Sequence, residues 1–234
     1  MKIYKYDLLD STNKFIKTME NIKEYDIVMA KKQSAGRGRR GNAWTTEEGA
    51  GLFSFIVLED KNISIEEYGK LPLVVGYSVL KALKKITNLD FKFKWTNDVY
   101  INDKKISGVL VEKIDNKFVI GIGVNINNKT SKEVEHIGIS LKEITNLNYE
   151  IESVIIEIVE EFKKNYEKFK KGQWNLILNE INTLNYLFGK RINIVGIGEE
   201  ISGIAGDIQE DGKLEIYIGD EKKYFNIGEI HIKK

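Results

Sequence analysis

The apolar periodicity of this chain changes once and does not change back, and that restricts its fold more than any other feature. Up to residue 184, segments with the period of a helix alternate with strand-like runs. Leu73, Val74, Tyr77, Leu80 and Leu83 lie on one helical face, and the same period returns from Ser153 to Phe169 and from Trp174 to Leu184. From Arg191 onward only short β-rich runs remain, at 191–196, 201–208, 213–218, 222–227 and 229–232, divided by glycine and acidic turns. The pattern predicts an α+β domain over residues 1–187 and a small β-barrel over 188–234, with the boundary near Leu187 to Lys190. With 234 residues, 42% of them hydrophobic, the chain is long enough to bury a core without staples or a structural metal.

Within the first domain, residues 3–9 read as a strand, and Asp10-Ser11-Thr12 is a natural start for a helix carrying Phe15, Ile16 and Met19. Strands follow at 27–30 and 52–58. Ser64 with Glu67 has the spacing of a capping box, and Pro72, the sole proline, fits the first turn of the next helix. Phe91, Phe93 and Trp95 alternate as a strand does, and the turns Asn102-Asp103-Lys104 and Asp115-Asn116-Lys117 divide a meander at 99–101, 105–114 and 117–126. Between the second and third strands lies Gln33 to Gly51, with five glycines and no period, a loop long enough to imply a function.

Composition removes whole classes of chemistry. The absence of cysteine excludes disulfides, zinc ribbons, iron-sulfur clusters and thiol catalysis. His136 and His231 are the only histidines, and they read as surface or packing residues. Lys+Arg 36 against Asp+Glu 35 gives a net charge of +1, so no global field gathers nucleic acid or anionic lipid. The N-terminus has no signal-like apolar segment and no later run is long enough to span a bilayer, from which a cytoplasmic, membrane-free protein is expected. The sequons at Asn62 and Asn128 then read as chance matches. Arginine is the informative basic residue. Only Arg37, Arg39, Arg40 and Arg191 occur, three of them within four residues, which suggests a need for the planar guanidinium fork that suits phosphate.

Those three arginines belong to Gly36-Arg37-Gly38-Arg39-Arg40-Gly41. It has the letters of a dinucleotide fingerprint, but the glycine-rich residues 42–51 cannot supply the helix whose N-terminus would hold a pyrophosphate. A loop of this composition can instead wrap a phosphate and become ordered as it does so; an RNA-binding module using the arginine loop and Trp44 is the reading from another class. Lys94-Trp95-Thr96-Asn97-Asp98 ends a strand, and Lys105-Ile106-Ser107-Gly108 follows one tight turn later. Gly121 and Gly123 share one face of an apolar strand, a flat floor for either a thin ligand or a close-packed helix.

Together with Asp10-Ser11-Thr12-Asn13, Gln33, Ala35 to Gly41, Trp44 and the segment Gly121 to Asn125, these motifs resemble the biotin protein ligases in order and separation over essentially the whole chain. The resemblance implies a mixed-sheet catalytic domain of the biotin/lipoate ligase type with a C-terminal SH3-like β-barrel. It implies that biotin is activated with ATP and Mg2+ to biotinyl-5′-AMP and then passed to a lysine of a biotin carboxyl carrier protein, a subunit of acetyl-CoA carboxylase or a similar carboxylase. Ser11, Thr12, Asn13 and Gln33 match positions that bind the ureido ring, with Gly108, Gly121 and Gly123 lining the slot. Arg37, Gly38 and Arg39 match the loop that closes over biotin and the phosphates, Trp44 an aromatic near adenine, and Lys105 the essential lysine beside the reacting carboxylate. Asn97, Asp98 and Asn125 match positions near the nucleotide, while the metal ligands stay unassigned.

Three departures from the family pattern stand out. Thr96 replaces a proline and is expected to loosen the turn before Asn97; Asn42 stands where a basic residue is common; and Gly206 stands where some members have arginine. Some relatives carry an N-terminal winged helix. This sequence begins at the first catalytic strand, from which no operator DNA binding is expected. Strand-edge dimers in the family leave a homodimer open. The rival within the same fold is lipoate-protein ligase.

Overall fold

A computed structural model of the chain describes residues 1–38, 44, 47–131, 133–197, 199–226 and 231–233. The described residues form two sheets. The first has seven strands: β1 (Ile3–Leu9), β2 (Ile27–Gln33), β3 (Gly51–Leu58), β4 (Lys92–Lys94), β5 (Asp98–Ile101), β6 (Lys104–Ile114) and β7 (Lys117–Val124), in the order β1-β2-β3-β7-β6-β5-β4. It is mixed: β1 and β2 run parallel, and every other pair is antiparallel. The short helix α1 (Thr12–Ile16) and the longer α2 (Leu71–Thr87), α3 (Leu141–Thr145), α4 (Ile151–Lys170) and α5 (Trp174–Thr183) accompany it. None is long and apolar enough to cross a membrane.

The central strands sort their side chains by the two-residue period of a strand. Phe53, Phe55 and Val57 of β3, with Phe118, Ile120, Ile122 and Val124 of β7, join α2 and α4 in the main core. The alternate residues Ile56 and Val119 meet Ile16 of α1 in a smaller cluster on the opposite face. That second face, where Ser54, Gly121 and Gly123 also point, carries the candidate site.

The second sheet, antiparallel β8 (Arg191–Ile197), β9 (Glu199–Ile208), β10 (Leu214–Ile218), β11 (Glu221–Phe225) and β12 (His231–Lys233), is the expected all-β unit, in the order β11-β10-β9-β8-β12. It is not suspended on a linker. Ala205, Ile208, Leu214, Ile216 and Phe225 belong to the same continuous core as α2 and the first sheet. Hydrogen bonds also cross between the two: Trp95 Nε1 donates to the Gly212 carbonyl at 3.0 Å, Trp174 Nε1 to Glu210 at 2.7 Å, and Asn182 both donates to and accepts from the backbone of Ile208 at 2.9 Å.

Several local expectations change. Ser11 occupies the N-cap of α1, but its side chain makes no capping bond, and the helix ends at Ile16, before Met19. Only half of the capping box at Ser64 forms: its hydroxyl accepts from Glu67 N–H at 3.3 Å, while the Glu67 carboxylate goes to Lys70, in a 3-10 turn that leads into α2 with Pro72 in its first turn. The complete capping box is at α3, where Ser140 and Glu143 satisfy each other; the pattern is present in the sequence, but five residues give too little period to announce a helix. Asn128, one of the two sequon residues, is 3% exposed and donates to Asn125, which fits its reading as a chance match.

Candidate functional site

Strand register assembles the floor of the site. Leu52 of β3 stands opposite Gly123 of β7, Gly123 opposite Gly108 of β6, and Gly108 opposite Asp98 of β5, so one row crosses four strands with two adjacent glycines in its middle. One step along, Ser54 faces Gly121. Side chains come down on these bare positions from above. A Cβ on Gly121 would lie 2.0 Å from Asn13 Oδ1, and one on Gly123 would lie 2.4 Å from the Trp44 ring. One on Gly108 would lie 2.9 Å from both Lys105 Nζ and Cε. The same-face glycines therefore serve close approach, of helix α1 through Asn13 at Gly121 and of the Trp44 ring and Lys105 side chain at Gly123 and Gly108.

At one end of the floor, α1 begins against the end of β2. Gln33 Oε1 accepts from Thr12 N–H at 2.7 Å and lies 3.1 Å from Thr12 Oγ1. Ser54 Oγ is 2.7 Å from Thr12 Oγ1 and 2.6 Å from Asn13 Oδ1. Asn13 Nδ2 donates to Glu112 Oε2 at 2.8 Å, and Lys17 Nζ meets the other carboxylate oxygen at 2.9 Å. Burial pushes the Glu112 carboxyl up, but hydrogen bonds from Lys17 and Asn13, with the charges of Lys17 and Arg37, outweigh it and hold the group below its ordinary value. Ser11, Thr12 and Asn13 are buried, and Arg37 is exposed.

At the other end, Lys105 Nζ pairs with Asp98 Oδ1 at 2.7 Å and lies 5.1 Å from the centre of the Trp44 ring. The lysine backbone is gripped on both sides, its N–H donating to Ile137 and its carbonyl accepting from Ile139. Trp44 is carried in by the long loop, whose base is closed by a bond from Trp44 N–H to the Gly36 carbonyl at 2.9 Å. Its indole nitrogen is buried and finds no partner among the described residues.

The structure thus brings together Thr12, Asn13, Gln33 and Gly121 at one end and Trp44, Asp98, Lys105, Gly108 and Gly123 at the other. Asn97 is buried behind the floor, its side-chain amide donating to the Val109 carbonyl, and the Trp95–Thr96 peptide before it is cis. Asn125 sits just past β7, its side chain accepting from Asn128 and its N–H donating to Ile106. Gly38 is half-buried within the loop. Arg39, Arg40, Gly41 and Asn42 lie outside the described residues. Sequence reasoning missed two members. Ser54 is the lone hydroxyl in the apolar run of β3, a signal that could have been used; Glu112 closes the Lys105 motif, but its partner Asn13 is 99 positions away.

The biotin/lipoate A/B protein ligase family model matches residues 6–127. The chain belongs to this family. A solved member, the biotin protein ligase from Aquifex aeolicus in complex with biotin and ATP, is 30% identical and superposes with a TM-score of 0.91 over 100% of this chain and 99% of that one. The bifunctional ligase/repressor BirA of Bacillus subtilis is 30% identical over 70% of this chain, which spans 53% of that protein's length. The biotin--[acetyl-CoA-carboxylase] ligase of Mycobacterium tuberculosis is 23% identical over 87% of this chain and 77% of its own. The Aquifex ligase thus shares the arrangement of sheets and helices described above over the whole chain.

Proposed function

We propose that the chain is an ATP-dependent biotin protein ligase, acting on biotin and on the biotinyl domain of a carboxylase such as acetyl-CoA carboxylase. One observation carries this reading: a whole-chain match to a ligase that holds biotin and ATP, on a fold whose floor joins a buried amide-hydroxyl cluster to a lysine with an aromatic lid. The biotin carboxylate oxygen attacks the α-phosphorus of ATP; the bond to the β-phosphate oxygen breaks, and biotinyl-5′-AMP and pyrophosphate result. A neutral lysine amine of the carrier then attacks the acyl carbon, AMP leaves, and one proton is released.

Neither step needs a covalent group from the enzyme, which suits a chain with no cysteine and two histidines. Charge and position do the work. In this reading the ureido ring lies at the Ser11, Thr12, Asn13 and Gln33 end, and the valeryl chain runs over Gly121, Gly123 and Gly108 toward Lys105. The ammonium group of Lys105, held by Asp98, stabilises negative charge on the carboxylate and α-phosphate as the bond forms. Arg37 and Arg39 close over the phosphates, and Trp44 walls the join between the two substrates. Asn97 and Asn125 act on the nucleotide side, chiefly by fixing backbone around Asp98 and Lys105.

Magnesium would supply charge neutralisation of the ATP phosphates. Among the described residues no three carboxylate or imidazole groups converge as a cage; Asp98 is the carboxylate that could meet an ion whose other ligands are phosphate oxygens and water, which fits a metal that arrives with the nucleotide. The test is pyrophosphate release with ATP and magnesium plus either biotin or lipoate. Release with biotin supports the proposal; release with lipoate alone transfers the site to the rival substrate, and release with neither removes the activity.

A further inference from the structure

Lys105 stands where the first sheet is unfinished. On one side its register partner is Tyr100 of β5; on the other, β7 does not reach it. The last register pair of β7 is Val124 with Ser107, and the chain leaves the strand through Asn125, whose N–H donates to Ile106. A short piece from a later segment completes the row. Lys105 N–H donates to the Ile137 carbonyl at 2.7 Å, Ile139 N–H donates to the Lys105 carbonyl at 3.1 Å, and Gly138 pairs with the lysine as in a parallel sheet. Both backbone polar groups of the lysine therefore depend on residues 137–139.

Two supports hold that piece. Directly after it, α3 is fixed to the end of β7, with Leu141 and Lys142 N–H donating to the carbonyls of Asn125 and Ile126 at 3.2 and 2.9 Å. Behind it, the Thr130 methyl packs on Gly138, where a Cβ would lie 3.4 Å from Thr130 Cγ2. One carboxylate joins the two supports. Glu143 Oε2 accepts from Thr130 Oγ1 at 2.7 Å, Ser140 N–H at 2.8 Å and Ser140 Oγ at 3.0 Å, and its Oε1 accepts from Thr130 N–H at 3.0 Å. Desolvation pushes the Glu143 carboxyl up, but the bonds from Thr130 and Ser140 outweigh it and hold the group below its ordinary value. A capping box needs only the bonds to Ser140; those to the buried Thr130 are surplus to it.

We infer that Glu143 is a positioning residue for the reaction, tying Thr130 to the start of α3 so that residues 137–139 hold the Lys105 backbone in register with the site. The inference rests on the ligase reading, in which Lys105 acts on the carboxylate and the α-phosphate. Glutamine separates this role from helix capping, because it also completes a capping box. In Glu143→Gln the one oxygen stays with Ser140 and the amide nitrogen faces Thr130 N–H, donor against donor, so α3 remains capped while the tie to Thr130 opens.

Single-turnover formation of biotinyl-5′-AMP and steady-state kinetics test this on wild type, Glu143→Gln, Thr130→Val, Lys105→Ala and the double variant Glu143→Gln with Lys105→Ala. The temperature is one at which melting curves show each protein folded. Thr130→Val keeps the side chain's shape and removes its hydroxyl donor. In it and in Glu143→Gln, adenylate formation and kcat should fall about tenfold to a hundredfold, while the KM for biotin and for ATP stays within about twofold. Once the lysine side chain is gone there is nothing left to position, so adding Glu143→Gln to Lys105→Ala should change the residual rate less than about twofold. A normal rate in either single variant, a rise in KM without a fall in kcat, or the same fractional loss with and without the lysine overturns the inference. A wild type that forms no adenylate from biotin and ATP would instead strike the ligase reading itself.

Discussion

Gly121→Ala adds a single methyl group, and its consequence follows from one distance. The new Cβ would stand 2.0 Å from Asn13 Oδ1 and 2.6 Å from its Cγ, well inside contact, so one side must move. Gly121 is hydrogen-bonded in β7 between β3 and β6, so the strand is the stiffer partner. Asn13 has to give way, and it is held at both ends, by Glu112 and by Ser54. Overpacking a core costs about 1–3 kcal/mol, and losing a hydrogen bond to a charged carboxylate about 1.5–3, so a total loss of about 2.5–6 kcal/mol is expected. For a chain of this size that lowers the melting temperature by roughly 5–24 °C, and biotin affinity should fall at least about tenfold because Asn13 leaves its position. Gly69→Ala is the control, since a Cβ there meets nothing within 4 Å. Differential scanning calorimetry and biotin titration on both variants provide the assay. A Gly121→Ala protein that melts and binds biotin like Gly69→Ala would refute the idea that the bare strand exists to seat Asn13.

Further outcomes follow from the same geometry. Lys105→Ala should keep its fold and lose about 10²–10³ in the rate of adenylate formation, read by pyrophosphate release; near-normal turnover would remove Lys105 from the chemistry. Trp95→Phe keeps the ring but leaves the buried Gly212 carbonyl without its donor, so denaturant titration should report about 1–3 kcal/mol of lost stability, and an unchanged midpoint would make that bond irrelevant. The Glu112 carboxyl is held below its ordinary value of 4.5, so its contribution to stability is full above that pH and fades as pH falls through the lowered value. The stability difference between wild type and Glu112→Gln should therefore shrink on acidification below pH 4.5; a difference that persists or grows there contradicts the sign. Arg39→Ala should release the adenylate faster in a stopped-flow chase, and unchanged retention counts against a closing role for the loop.

What the sequence made legible was what depends on short range. The alternation of Phe118, Ile120, Ile122 and Val124 with Val119, Gly121 and Gly123 showed which face of β7 is bare, because side chains in a strand alternate whatever lies around them. Pro72 and the asparagine turns likewise marked their elements. The polar chain was not legible: Gln33, Thr12, Ser54, Asn13 and Glu112 come from four separate segments, and the direction in which each hydroxyl points is fixed only when they meet. The helix starts where Asp10-Ser11-Thr12 implied, but the absence of a capping bond from the Ser11 side chain was not legible. Asp10 carries the local bonds, to Ser11 N–H and Lys14.

The indole bonds from Trp95 and Trp174 to the turn between β9 and β10 also limit how such enzymes can be rebuilt. Exchanging the terminal sheet for one from another member would leave two tryptophan donors facing a foreign hairpin, one of them next to the residues that steady Asp98 and Lys105. A working chimera would have to import the hairpin and its tryptophan sockets as a matched set, as one replaces a key together with its lock.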